Sequence, residues 1–123
     1  MAQILVVEDE ESLLQTLRYN LSRAGHEVRL STNGMQALDM IRGNPPELVV
    51  LDLMLPGLDG LEVAKRLRAR HDGGGMLLVA TTGWGKPEDR RQSAEAGFDL
   101  HLTKPVDLAL AARLLASRSD AKG

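Results

Sequence analysis

Cysteine is absent from the 123 residues. Disulfide staples, thiolate metal sites and a cysteine nucleophile are excluded, and the usage suits a reducing compartment, so the cytoplasm is the expected location. Neither charge is in excess. Fifteen Lys plus Arg stand against seventeen Asp plus Glu, a formal net charge of −2, and no basic field advertises nucleic acid or an anionic membrane. Direct nucleic-acid contact is not expected, and neither is membrane contact. No apolar run approaches the roughly 18 residues that a membrane span requires. The stretch from Met1 to Val7 lacks the charged start and the length of a signal peptide. What is present is ordinary for a globular chain, 43% hydrophobic and 26% charged, enough to bury one core. A single domain over 1–118 followed by a frayed tail at 119–123 is expected.

Two periodicities alternate along the chain. Gln3 to Val7 contains Ile4, Leu5, Val6 and Val7 in succession, the pattern of a strand buried on both faces of a parallel sheet. Leu13, Leu14, Leu17, Leu21 and Ala24 then recur at helical spacing, with Gly25 placed to stop the helix. His26 to Leu30 reads as a weaker strand, and Thr32-Asn33-Gly34 turns the chain into a helix over Met35 to Arg42 closed by Gly43. Leu48 to Leu51 is the most continuous apolar run. Beyond Pro56-Gly57 a third helix carries Leu61, Ala64 and Leu67. Met76 to Ala80 reads as the fourth strand, and Pro87, Glu88 and Asp89 have the chemistry of a helix start, with Gly97 as its stop. Phe98 to Leu102 is the last strand, followed by a helix from Asp107 through Leu115.

Five strand–helix units are too few for a closed (β/α)₈ barrel, so the α/β architecture expected is an open, doubly wound, five-stranded parallel sheet. The patchy second strand belongs at an edge, which fits the order 2-1-3-4-5. Ligands of such sheets sit beyond the carboxyl ends of the strands, where the strand order reverses. Strand one ends in Glu8-Asp9, strand three in Asp52, strand four in Thr81-Thr82 and strand five in Lys104-Pro105. Clustered carboxylates repel, and burial drives one of them towards protonation unless a cation lies among them. Oxygen ligands without cysteine or paired histidine favour Mg2+, with Mn2+ as the alternative. Carboxylates, a lysine and a threonine around such an ion are equipment for phosphoryl transfer onto a carboxylate. Asp52, at the end of the most buried strand, is the expected nucleophile.

Four segments also carry a resemblance: ILVVEDE at 4–10, LVVLDLMLPGLDGLEV at 48–63, the step Thr82-Gly83, and AGFDLHLTKPV at 96–106. Together they resemble the receiver domain of two-component response regulators over nearly the whole chain. The resemblance implies a CheY-like, flavodoxin-like three-layer (βα)5 sandwich. It implies that Asp52 accepts a phosphoryl group from a sensor histidine kinase or a histidine phosphotransfer protein. Mg2+ would be held by Glu8 through water, by Asp9, by Asp52 and by the backbone carbonyl of Met54. Lys104 would contact the phosphoryl group and anchor the last loop through a cis bond to Pro105. Thr82 would be the switch hydroxyl, being fifteen residues before Gly97. The signal would pass through the surface of helix four, strand five and helix five to a downstream effector or a phosphorylation-dependent homodimer, with limited self-catalysis rather than enzymatic turnover.

The chain departs from that family in three places. His101 stands where the family carries a rotating Tyr or Phe, so the second switch residue is ionisable here. Met54 and Trp84 occupy positions that tune dephosphorylation, and neither offers a carboxylate or amide to activate water, so slow self-dephosphorylation is expected. Leu100 and the apolar Leu108 to Leu115 segment lack the charged pairs of a common receiver dimer. Other readings compete. A small aspartyl-phosphate phosphotransferase or phosphatase would want a second acid where Met54 stands. A flavodoxin-like FMN carrier would want hydroxyls and free amides where Glu8, Asp9 and Glu10 stand. Glu10 and Glu11 read as complements to a helix dipole, and Asp59 and Gly60 as turn and helix-start residues. Lys65, Arg66, Arg68 and Arg70 read as cations at a helix C-terminus rather than a docking patch.

Overall fold

The computed structural model describes residues 2–55, 60–69, 75–83, 87–104 and 113, with the backbone alone at 87–89. Five parallel strands, β1 (Gln3–Val7), β2 (Glu27–Ser31), β3 (Leu48–Asp52), β4 (Leu77–Thr82) and β5 (Leu100–Thr103), form one sheet in the order β2-β1-β3-β4-β5. Helices α1 (Glu11–Arg23), α2 (Gly34–Gly43), α3 (Gly60–Ala69) and α4 (Pro87–Ala96) alternate with them. The expected fold and strand order are found. Pro56-Gly57, Asp59, Arg70, Trp84, Pro105, the final helix apart from Arg113, and the tail lie outside the described residues.

Continuous apolar runs become central strands because both of their faces are covered. Leu5 and Val7 of β1, Val49 and Leu51 of β3, and Leu78 and Ala80 of β4 point into one cluster, shared with Ala37, Leu38 and Ile41 of α2 and Val63, Ala64 and Leu67 of α3. The alternate residues Ile4, Val6, Leu48, Val50, Leu77 and Val79 feed a second cluster with Leu14, Leu17 and Leu21 of α1. Period-two strands and period-3.6 helices thus build a three-layer sandwich. The edge strand β2 leaves Glu27 exposed and Val28, Arg29 and Leu30 half-buried.

Several boundaries differ from the sequence expectation, each for a local reason. His26 is not part of β2: its backbone N–H bonds the Leu21 carbonyl at 3.2 Å, closing α1, and its Nδ1 accepts from the Ala2 N–H at 3.1 Å. Gly43 does not stop α2 as a left-handed residue. It is helical, and the chain leaves the helix at Asn44 (φ −153°), the residue that the following Pro45 forces into extended conformation. Asn33 is the α2 N-cap, its side chain accepting from the Gln36 N–H at 2.8 Å. Gly25 and Gly97 do stop their helices with positive φ, 94° and 107°. Phe98 lies before β5 and packs into the first cluster, while β4 runs on to Thr82, two residues beyond the expected end.

The amino-terminal end of the sheet is tied by Arg68. Its Nε bonds the Gly97 carbonyl at 2.8 Å, Nη1 the Met76 carbonyl at 2.8 Å, and Nη2 the Asp99 carboxylate at 2.7 Å. The same Asp99 oxygen accepts from the Leu78 N–H at 2.8 Å. The guanidinium therefore joins α3 to the starts of β4 and β5, and Arg68 is a clamp rather than a member of a free basic stripe.

Candidate functional site

The register delivers the acidic residues to one place. Val7 is aligned with Leu51 across β1 and β3, so Glu8 and Asp52 follow side by side as the strands end, at the point where the strand order reverses. Ladder-type bonds continue past the strands: Glu8 N–H to the Ser31 carbonyl at 3.0 Å, Leu53 N–H to Thr81 at 3.0 Å and Lys104 N–H to Thr82 at 2.7 Å. Each functional residue is thereby fixed by the backbone before its side chain makes any contact.

Glu8, Asp9 and Asp52 each offer an oxygen within 4.8 Å of the others. Glu8 and Asp52 are buried and Asp9 is exposed. Lys104 enters from β5 and places its Nζ 3.2 Å from Glu8 Oε2 and 3.2 Å from Asp52 Oδ2. The other oxygens of the two buried acids are also engaged: Glu8 Oε1 accepts from the Glu10 N–H at 3.1 Å, and Asp52 Oδ1 from the Met54 N–H at 2.9 Å. Burial, aided by a hydrogen bond to Asp52 and the Asp52 charge, pushes Glu8 up from 4.5 to about 7. Burial pulls the Lys104 ammonium down, but the Asp52 charge and hydrogen bonds to Glu8 and Asp52 outweigh it, and the net direction is up. One ammonium is thus shared by more negative charge than it neutralises. A cluster of all-oxygen donors with surplus negative charge and a strained buried carboxyl is chemistry that suits a hard divalent cation.

Thr82 is buried at the end of β4 and pairs with Thr103. Thr81 is equally buried but points to the opposite face by strand alternation. His101 is half-buried on β5, paired with Ala80, with its Nδ1 2.9 Å from the Ser93 hydroxyl of α4. The Met54 side chain is on the rim, 63% exposed. The structure therefore brings Glu8, Asp9, Asp52 and Lys104 into one cluster, with Thr82 and His101 on the adjoining strands. Trp84 and Pro105, also expected here, lie outside the described residues.

Two residues that sequence reasoning missed support this site. A Cβ at Gly60 would fall 2.8 Å from the Asp52 carbonyl oxygen and 2.8 Å from Leu53 Cα. Gly60 is thus the contact through which α3 seats against the end of β3, and only the Asp59-Gly60 step, read as a turn, marks it in sequence. Ser93 meets His101 from α4, which a lone serine in a polar helix does not announce.

The family model for the response regulator receiver domain matches residues 4–115. Response regulator MprA of Mycobacterium sp. (strain KMS) is 41% identical over 106 residues, 86% of this chain and 45% of the relative. The chain thus spans less than half the length of that curated relative. The receiver domain of sensor histidine kinase PA1611 from Pseudomonas aeruginosa PAO1 is 29% identical with a TM-score of 0.83, covering 93% of each chain, and holds a magnesium ion in its active-site cleft. Chemotaxis response regulator CheY4 of Vibrio cholerae superposes with a TM-score of 0.86 at 25% identity, over 95% of this chain and 98% of the other.

Proposed function

The chain belongs to the response regulator receiver domain family, and from that premise we propose that it is a phosphoacceptor module of a two-component relay, with Asp52 as the acceptor. The observation that carries this reading is the Lys104 ammonium, 3.2 Å from both Asp52 Oδ2 and Glu8 Oε2 and joined by Asp9 in one acidic cluster. Of the two carboxylates that meet the lysine, Asp52 lies within a central strand, paired with Thr81 across β3 and β4, whereas Glu8 follows the end of β1, so Asp52 is the more rigidly aimed.

In the proposed step a carboxylate oxygen of Asp52 attacks the phosphorus of a phosphohistidine on a sensor kinase or phosphotransfer protein. The P–O bond forms, the P–N bond breaks, and its electron pair returns to the imidazole, which recovers a proton. Lys104 moves from the free carboxylate to the phosphoryl oxygens, and Thr82 turns its hydroxyl towards another of them. Glu8, Asp9, Asp52 and the Met54 carbonyl would hold Mg2+, with Mn2+ able to replace it, and the ion would neutralise charge on the phosphoryl oxygens. The exposed Met54 thioether can neither donate to nor deprotonate a water, which supports slow self-dephosphorylation. Trp84 is proposed to act with it, and Pro105 to fix the loop after Lys104. His101 would relay the Thr82 movement to the surface of α4 and β5, where an effector or a second copy reads it. The receiver is proposed to span 1–118, with 119–123 as its tail.

The test is phosphorylation by acetyl phosphate with Mg2+, followed by gel mobility and by fluorescence of the single tryptophan, Trp84, during titration with beryllofluoride. A saturable, Mg2+-dependent response that disappears in Asp52→Asn is expected. An undiminished response in Asp52→Asn would overturn the assignment.

A further inference from the structure

α4 is the least apolar of the helices. Among its described side chains only Ser93 and Ala96 are buried; Arg90, Arg91, Gln92, Ala94 and Glu95 are exposed. Ser93 is 1% exposed, so its hydroxyl must find partners inside the protein. It has two: the Arg90 carbonyl, to which it donates at 2.9 Å, and His101 Nδ1 at 2.9 Å. A serine hydroxyl carries one hydrogen. The contact with the ring can run either way, Ser93 accepting from a protonated Nδ1 or donating to an unprotonated one. In either case the serine fixes the direction of the histidine ring.

Strand alternation puts His101 on the face of the sheet that carries its pairing partner Ala80, and Thr82 lies two residues further along that face. A ring tied to α4 cannot follow Thr82 without losing its bond. Lys104 is seated on Asp52 Oδ2, an oxygen at which a transferred phosphoryl group would displace it. We propose that Ser93 is a positioning residue, a latch that holds His101 against α4 while Asp52 is free and must release it when Asp52 is phosphorylated. The proposal rests on the phosphoacceptor reading above and adds to it the element that opposes the switch. A bond made in one state only biases the equilibrium towards that state by its net worth.

The experiment is beryllofluoride binding with Mg2+ at pH 8, by Trp84 fluorescence, in wild type, Ser93→Ala, His101→Ala and the double variant. Ser93→Ala is expected to bind about fivefold more tightly, the factor that one ordinary hydrogen bond represents, and to bring no change when added to His101→Ala. Nitrogen-detected NMR of the His101 ring is expected to show a hydrogen-bonded Nδ1 in wild type and a marked shift of that nitrogen's signal in Ser93→Ala. A merely structural serine would lower thermal stability in both backgrounds and leave the affinity unmoved. Unchanged affinity in Ser93→Ala beside a normal wild-type response overturns the latch alone. A wild type that does not respond to beryllofluoride at all overturns the phosphoacceptor reading and the latch with it.

Discussion

Glu8 makes the site's electrostatic strain measurable. In the unfolded chain its carboxyl titrates at its ordinary 4.5, whereas in the fold burial and the neighbouring Asp52 raise it to about 7. Between those values the folded protein binds more protons at this position than the unfolded one. The sign follows: the contribution of Glu8 to stability is intact below 4.5, falls as pH rises through the window, and reaches its full penalty above about 7. At about 1.4 kcal/mol per pH unit the penalty is on the order of 3 kcal/mol. For a domain of this size that is about 10 °C in melting temperature. The raised Lys104 does not blur the window, since a lysine lifted from 10.5 loses its contribution only as pH rises beyond that value.

The assay is thermal unfolding in EDTA from pH 5 to pH 8, wild type against Glu8→Gln. Carboxylates remote from Glu8 contribute equally to both chains and cancel in the difference, so the difference reports Glu8 together with the Asp52 it is coupled to. The wild type is expected to lose stability relative to Glu8→Gln across the window, and millimolar Mg2+ is expected to remove most of the loss at pH 8 by supplying the missing positive charge. Parallel pH profiles for the two proteins would refute the claim that Glu8 is strained by burial. A wild-type deficit at pH 8 that Mg2+ leaves untouched would refute its relief by a bound cation.

Gly60→Ala is expected to cost about 1–3 kcal/mol and slow phosphorylation of Asp52, because its Cβ meets immovable backbone of Asp52 and Leu53; Gly43→Ala, with open space at the same atom, is the control and is expected to be neutral or stabilising by about 0.5 kcal/mol. Equal melting temperatures for the two would refute the close approach. Arg68→Ala is expected to cost about 2 kcal/mol, since it removes three hydrogen bonds of a partly exposed guanidinium, while leaving the initial phosphorylation rate within twofold, as the clamp lies at the far end of the sheet. A large loss of rate with intact stability would contradict that placement. Amides of α4 are expected to exchange hydrogen faster than those of α3, which is anchored by Val63, Ala64 and Leu67; equal protection would refute the weak anchoring of α4.

The sheet was legible because its central strands are written as unbroken apolar runs. Ile4 to Val7 and Leu48 to Leu51 can be satisfied only between two layers of helices, and once the strand order follows, the residue after each run must emerge at the crevice. Glu8, Asp52 and Lys104 were therefore found by position. The residues that escaped act through long-range approach. Gly60 matters because α3 meets β3 backbone, Arg68 because three chain segments converge on its guanidinium, and Ser93 because His101 lies opposite it on β5. None of these contacts leaves a local period or spacing. The same limit explains the ends of the elements: His26 reads as strand until its bonds to Leu21 and Ala2 are seen, and Gly43 reads as a helix stop until Pro45 is seen to impose the exit.

The two ends of the sheet divide the work of stability and signalling. At the amino-terminal end Arg68 and Asp99, both partly exposed, join α3, β4 and β5 through charged hydrogen bonds. At the carboxyl end the chain accumulates buried acids around a single lysine, an arrangement that weakens the fold as Glu8 ionises and that gains most from a cation or from neutralisation of Asp52. Free energy released there can move only what is lightly held. The central strands are not, β3 and β4 being buried along their whole length and β1 at all but its first residue. α4 is, because among its described residues it contributes only Ala96 to the first apolar cluster, and Ser93 bonds His101 of β5. Among the described elements α4 is thus the most lightly held, and it is joined through His101 to the strand that leads to Lys104; on the proposed function, its polar composition makes it the place where the site's strain would be read.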